Sequence, residues 1–530
     1  MTNTRRDLLK LIGAVGGTSL VYPAMQAMGA APLSGYHRQM AELKGAPAKG
    51  ASVLVLGAGL AGLVAALELT KAGYKVELLE YSQRVGGRAL TIRGGDSFTE
   101  LGGSVQNCTF EPGHYFNPGP MRIPHSHHAY IDYCRRLGVA IEPFLNVSAN
   151  NYVHSTTAFG GRPQRYKSVR ADVEGHIAEI AAKSANQHLL DKTLSKQDLE
   201  QLLEALRSWG ALDMRYRYQR DEPLGPHARA GGDEPAPPGP RVDLQLEDLL
   251  RSSAWRAIAH QHDPVFDMPM FQPVGGMDML PKALAREVGH LVRYDAKVVE
   301  IRQDDAGVTV AYADEASGGT VREARADWCV CAIPPPILGQ IPMQVGGEMS
   351  AAISAIYFAS SVKVALQFKR RFWEQDKDIY GGITATDLPI NEIVYPSYGY
   401  GGAGKGVLVG AYVGTTSNSR LTAFEISSAT PAERIEWALR EGAKIHPQYR
   451  AEYDSGLSVA WHRVPFSLGC YTQWRPGDFE QHYKKLRTMD GRIALAGEHV
   501  SYFAGWQEGA ILGALGAVGQ IHMRALASKA

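Results

Sequence analysis

Arg122 stands in FNPGPMRIPHSHHAYIDYCRRLG, residues 116–138, at the seam between a Pro- and Gly-rich turn and a stretch with helical pattern. Its planar guanidinium can grip a carboxylate through two parallel charge-assisted bonds. A helix-capping or salt-bridging surface arginine fits the same residues. Lys363, in SSVKVALQF, falls inside a run that alternates like a strand. A cation there faces water or is buried for a reason, and the pattern alone favours water. Tyr471, in VPFSLGCYTQWRPG (464–477), and Trp506 offer flat apolar faces that can exclude water from a site or simply pack a core. Cys470 beside Tyr471 reads as a small buried thiol. His114, His125, His127 and His128 invite a metal reading. Spacings of i, i+2 and i+3 do not share a helix face, and no nearby Cys or carboxylate completes a shell, so surface histidines without a metal are expected.

The elements that must position these groups begin at ASVLVLGAGLAGLVAALELTKAGYKVELLE, residues 51–80. Ser52–Leu56 reads as a buried strand, Leu60–Ala72 as a helix and Lys75–Leu79 as a second strand ending in Glu80. Gly57, Gly59 and Gly62 fit G-x-G-x-x-G between strand and helix. The first makes the tight turn, the second lets backbone N–H groups approach a pyrophosphate, and the third lets the helix pack close. Glu80 can accept from a ribose hydroxyl, which makes this a dinucleotide site. A phosphate-loop pattern at GYGGAGKG (399–406) is rejected, because Gly406 stands where Ser or Thr should bind magnesium and the flanks read as two strands of a hairpin.

RVGGR (84–88) and ELGGSV (100–105) follow the acid, and GRIALAGEHVSYFAGWQEGAILGALGAVGQI (491–521) closes the chain. Together they resemble the flavin-containing amine oxidase family over most of residues 51–525. The resemblance implies an α/β fold in which a Rossmann-like FAD-binding domain interleaves with a substrate-binding domain of mixed sheet and helices. It places FAD along Gly57, Gly59, Gly62, Glu80, Gly87, Arg88, Met121 and Arg122, with the adenine near Val298 and the ribityl chain on Glu498. The helix opening at Gln507 would aim its N–H dipoles at the flavin N1/C2=O edge. Lys363 would reach flavin N5 through water and assist reoxidation by oxygen, and Tyr471 and Trp506 would flank the substrate amine. Gly-Cys-Tyr-Thr at 469–472 matches monoamine oxidases, whose cysteine carries a thioether to FAD; amino-acid oxidases generally lack it, so non-covalent FAD is expected and Cys470 is the residue to test. GPMRIPHSHHAYIDYCRRLGVAIEPF (119–144) resembles the L-amino-acid oxidase branch, in which the arginine binds the substrate carboxylate. Tyr395, in DLPINEIVYP, is the expected second carboxylate contact, with Val394 as the other alignment.

The chain has 530 residues, room for two or three cores. With 55 Lys and Arg against 54 Asp and Glu it carries no basic bias towards nucleic acid. Arg5 and Arg6 before an apolar run resemble a twin-arginine export signal, implying the twin-arginine machinery and a periplasmic or secreted protein. No membrane span is expected. Five scattered cysteines, an odd number, argue against a disulfide framework, and Cys329 and Cys331 read as buried strand residues. The partition is a signal at 1–30, a linker at 31–50, FAD-binding segments at 51–130, 271–340 and 461–530, a helical substrate region at 131–270 with a Pro/Gly loop at 220–241, and a substrate-binding segment at 341–460. A homodimer is expected. The function implied is FAD-dependent oxidative deamination of L-amino acids by O2, giving 2-oxo acid, ammonia and hydrogen peroxide. Oxidation of a simple or heterocyclic amine, amino-acid 2-monooxygenation and a non-enzymatic flavin-binding role are the alternatives.

Overall fold

Strands buried on both faces read as unbroken apolar runs, and Val53–Leu56 of the strand Ser52–Leu56 is buried throughout. In the computed structural model, which describes Leu43, Gly45, Pro47 and residues 50–186, 195–218, 244–261, 266–414 and 417–527, this strand is the centre of a parallel sheet. The order is Val292–Arg293, Lys75–Leu79, Ser52–Leu56, Trp328–Cys331, Ile493–Leu495, so three separated parts of the chain supply one sheet. The export signal at 1–30 and the loop at 220–241 lie outside the described residues.

One face of this sheet is covered by the helices Leu60–Lys71, Met279–Val288 and Gln507–Ala527 in a single core. The other face is covered by the antiparallel strands Ala296–Asp304, Gly307–Asp314 and Thr320–Ala326 with the helix Gly347–Ala355. A Cβ on Gly62 would lie 1.9 Å from the Gly57 carbonyl oxygen, so only glycine lets the first helix close on the turn that precedes it. Gln507–Ala527 is long and apolar enough to cross a bilayer, yet Ile511, Ala514, Ala517, Val518 and Ile521 are buried against the first helix, as a core helix requires. Cys329 and Cys331 are fully buried strand residues, and burial pushes the Cys331 thiol up to about 12.

The second sheet has seven strands, in the order Gln164–Arg165, Tyr152–His154, Ile383–Thr386, Glu392–Val394, Gly406–Val413, Val362–Phe368, Tyr453–Ala460. Ile383–Thr386 runs parallel to Tyr152–His154 and the other pairings are antiparallel, including the hairpin across the rejected phosphate-loop pattern. One face carries Val364, Leu366, Ile393, Tyr395, Leu408 and Ala411 into a large apolar core. Alternation sends Lys363, Tyr412, Val394 and Glu392 to the opposite face, because Lys363 pairs directly with Tyr412. Every residue of Val362–Phe368 is buried, and Lys363 is only 2% exposed. The solvent-facing lysine that the strand pattern suggests is therefore overturned: the sheet is covered on both faces.

Candidate active site

Gly57, with φ +95°, turns the chain from the first strand into the first helix, and Gly59 caps that helix in extended conformation. The turn opens on an elongated cavity of about 630 Å³. Gly57, Gly59, Glu80 and Gly87 line it near that helix N-terminus; Cys470, Tyr471, Glu498, Trp506 and Gln507 line it near the N-terminus of Gln507–Ala527, and the Arg88 guanidinium reaches this end to meet Glu498. The Glu80 carboxylate is fixed at the wall, accepting from the Ala58 N–H at 2.6 Å, the Ser82 N–H at 2.8 Å and the Ser82 hydroxyl at 2.7 Å. Val298 also lines the cavity, beside a register shift between Val298 and Glu300 that takes Val299 out of the strand pairing.

Glu498 accepts from Arg88 at 2.8 Å, from the Thr472 hydroxyl at 2.8 Å and from the Gly505 N–H at 2.9 Å. Burial alone would raise its pKa, but the Arg88 charge and these donors hold it below the usual carboxylate range. The Gln507 amide is buried on the cavity wall, and neither of its polar atoms has a partner among the described residues. An orphaned amide, two helix N-termini and a carboxylate at each end fit FAD: Glu80 and the first helix for its nucleotide half, Glu498 and Gln507 for its flavin half. Glu100 of ELGGSV serves another purpose, in a buried ion pair with Arg434 that joins this region to the second sheet.

The loop before Arg122 is held from several sides. Asn117 accepts from the Thr91 hydroxyl at 2.7 Å and the Met277 N–H at 3.1 Å. The Trp461 indole donates to the Pro118 carbonyl at 2.8 Å, and Lys363 Nζ donates to the Gly119 carbonyl at 2.6 Å. A Cβ on Gly119 would lie 2.2 Å from the Arg88 carbonyl oxygen, so the close approach requires glycine. Beyond it, the helix His128–Arg136 is fixed by Glu508, whose carboxylate accepts from the Ala129 and Tyr130 N–H groups at 3.0 and 2.7 Å.

Arg122 projects from this fixed loop. It donates to Asn146 and lies 4.4 Å from the Phe266 ring centroid, and Phe266 in turn packs edge-on to Trp506 at 6.1 Å. No carboxylate lies within ion-pair distance of Arg122 among the described residues. Met121 packs beside it with Phe144, Phe266, Met270 and Val394, against Tyr412 and Trp506. Arg122, Glu392 and Tyr412 keep some accessible surface while each is strongly desolvated, the combination expected of groups lining an internal chamber. These residues adjoin the FAD cavity through Trp506, which lines that cavity and packs against the Met121 cluster. Lys363 Nζ sits 4.4 Å from the Tyr412 ring centroid. Burial brings its pKa down to about 8; Cys470 and Glu392 act the other way, and Arg122 adds to the fall.

Tyr395 is not brought to this chamber. It occupies the opposite face of its strand, its hydroxyl bonded to the Thr384 hydroxyl at 2.9 Å and to His446 at 2.6 Å in the apolar core. Val394 faces the chamber instead, and the tyrosine there is Tyr412. A second correction concerns His127, which is buried edge-on to Trp506 at 4.9 Å rather than on the surface. Burial, with His128 and His125 nearby, depresses its pKa to about 3, so it is neutral. No cluster of metal-ligating side chains occurs among the described residues. Sequence reasoning also missed Glu392, whose only signal was its position two residues before Val394.

A family model described as flavin containing amine oxidoreductase matches residues 60–522. The chain is 29% identical over 484 residues to the L-amino-acid oxidase of Siganus canaliculatus, covering 89% of this chain and 86% of that protein. Its fold matches that of wild-type putrescine oxidase bound to putrescine with a TM-score of 0.59 at 19% identity, covering 90% of this chain and 99% of that one. Cyclohexylamine oxidase from Brevibacterium oxydans IH-35A matches with the same TM-score of 0.59 at 17% identity, over 90% and 99% of the two chains.

Proposed function

The chain belongs to the flavin-containing amine oxidoreductase family, and within it we propose an L-amino-acid oxidase. The observation that carries this reading is Arg122, a desolvated guanidinium adjoining the cavity through Phe266 and Trp506, with a neutral amide and an aromatic face as partners. Glu392 acts on this cation only at a distance, without an ion pair, and a bound α-carboxylate would pair with it directly while fixing the substrate. A simple amine gives Arg122 nothing to hold. Bound FAD supplies the hydride acceptor for the substrate Cα–H and the route for those electrons to O2.

The side chains divide the remaining work. Arg122 grips the carboxylate, and Tyr412, whose burial keeps its phenol protonated, donates the second bond. Tyr471 and Trp506, which line the cavity, would wall the amine against water and help to orient the bound substrate. Lys363 holds its proton at neutral pH and would supply a positive charge to favour reoxidation of bound FAD by O2. The product imino acid is released to water and hydrolyses to 2-oxo acid and ammonia. A peroxide- and ammonia-release panel over the proteinogenic L-amino acids, with D-enantiomers and simple amines as controls, tests the reading. Release confined to L-amino acids is expected; release confined to amines would reverse it.

A further inference from the structure

We propose that Glu392 is a specificity-determining residue that receives the distal cationic group, an ammonium or guanidinium, of a basic substrate side chain. The inference rests on the amino-acid reading and names its substrate class: L-amino acids of the lysine, ornithine and arginine type.

Register places Glu392 in the chamber. Val394 pairs with Val409 and Ile383, and it packs with Met121, Phe144, Phe266 and Met270. Glu392, two residues earlier on the same strand and paired with Ala385, projects to the same face. The Tyr412 N–H donates to the Ile390 carbonyl at 3.2 Å, which holds this strand end beside Tyr412 and hence beside Lys363 across the next strand. Among the described residues, no donor lies within hydrogen-bonding or ion-pair distance of the Glu392 carboxylate. Burial raises its pKa, and the nearby Arg122 and Lys363 charges pull it back.

Neither cation makes an ion pair with it, and each has other partners. Lys363 is committed to the Gly119 carbonyl and the Tyr412 ring. Arg122 is held by Asn146 and Phe266 and, on this reading, takes the substrate carboxylate. A substrate with a neutral side chain would then leave Glu392 without a direct partner, offset only at a distance by Arg122 and Lys363. A side-chain ammonium or guanidinium satisfies it in the same chamber. A purely apolar chamber would discriminate only weakly by shape, whereas a buried acid discriminates by pairing.

The test uses the FAD-loaded enzyme and separates the side-chain contact from the α-amine. Titrating the flavin absorbance with 6-aminohexanoate and hexanoate compares two carboxylates that differ by the distal ammonium alone. A charge-assisted pair predicts that 6-aminohexanoate binds about tenfold to a hundredfold tighter, and that the preference collapses in Glu392→Gln. The kcat/KM ratio of L-lysine over L-norleucine should follow the same pattern. Equal binding of the two carboxylates by the wild-type enzyme overturns the proposal without recourse to any variant. Equal loss on L-lysine and L-norleucine in Glu392→Gln overturns it too, because it would place Glu392 on the α-amine. If amines alone are oxidised, the amino-acid reading fails separately. A Glu392-dependent preference for cadaverine over pentylamine would then still sustain the cation contact.

Discussion

Replacing Tyr412 and Tyr395 in turn by phenylalanine separates two tyrosines that differ by which face of one sheet they occupy. Tyr412 shares the chamber with Arg122 and Lys363 and keeps accessible surface there; Tyr395 is fully buried and bonded to Thr384 and His446. Loss of one charge-assisted hydrogen bond to a substrate carboxylate costs about 1.5–3 kcal/mol, or roughly ten- to 150-fold in kcat/KM. Tyr412→Phe should show that loss on L-amino acids, mainly through KM, with little change in melting temperature. Tyr395→Phe leaves a buried hydroxyl and an imidazole nitrogen short of a partner, which costs about 1–3 kcal/mol of stability. Its kinetics should be near wild type. Steady-state peroxide assays and thermal melts on both variants decide the matter. A kinetic defect in Tyr395→Phe with normal kinetics in Tyr412→Phe would refute the sheet-face assignment.

Lys363→Met should slow reoxidation of the reduced enzyme by O2, read by stopped-flow mixing, more than it slows anaerobic reduction. In the wild type the reoxidation rate should fall as pH rises past about 8, where the buried ammonium loses its proton, and that fall should vanish in the variant. Glu508 gives a second pH dependence. Burial raises its pKa from 4.5 to about 7 although two N–H groups favour its ionised form. A raised folded-state value means that the folded protein holds the proton more tightly, so its contribution to stability is full at low pH and is lost as pH rises through about 7. Melts across this range should show the decline, and Glu508→Gln should flatten it. Cys470 is kept as a thiol by burial, against the pull of Lys363 and Arg88. Acid precipitation should therefore release the flavin into the supernatant, and Cys470→Ala should retain FAD.

The nucleotide end was legible because its information is local. Gly57, Gly59, Gly62 and Glu80 lie within one strand–helix–strand unit whose order dictates the geometry. Arg122 was legible as a candidate because its turn and helix are also contiguous. What fixes it was not: Asn117, Gly119, Trp461 and Lys363 come together only through tertiary contacts. The choice among Val394, Tyr395 and Tyr412 depends on sheet register, where a slip of one residue exchanges the two faces. A register shift between Val364 and Ala365 sets that parity, skipping Gly410, and nothing local announces it. Lys363 was misjudged from its strand alone because burial on both faces is a property of the whole sheet. His127 was misjudged because the helix Gln507–Ala527 and Trp506, far away in sequence, cover it.

The central claim is that a buried arginine makes this flavin site one for amino acids. Anaerobic stopped-flow reduction by an L-amino acid and by its decarboxylated amine, in the wild type and in Arg122→Ala, tests it most directly. The account predicts fast bleaching of the wild-type flavin by the amino acid alone, and a loss of about tenfold to a hundredfold in its reduction efficiency in Arg122→Ala. Bleaching by the amine at least as fast as by the amino acid, with no effect of Arg122→Ala on either, would contradict it.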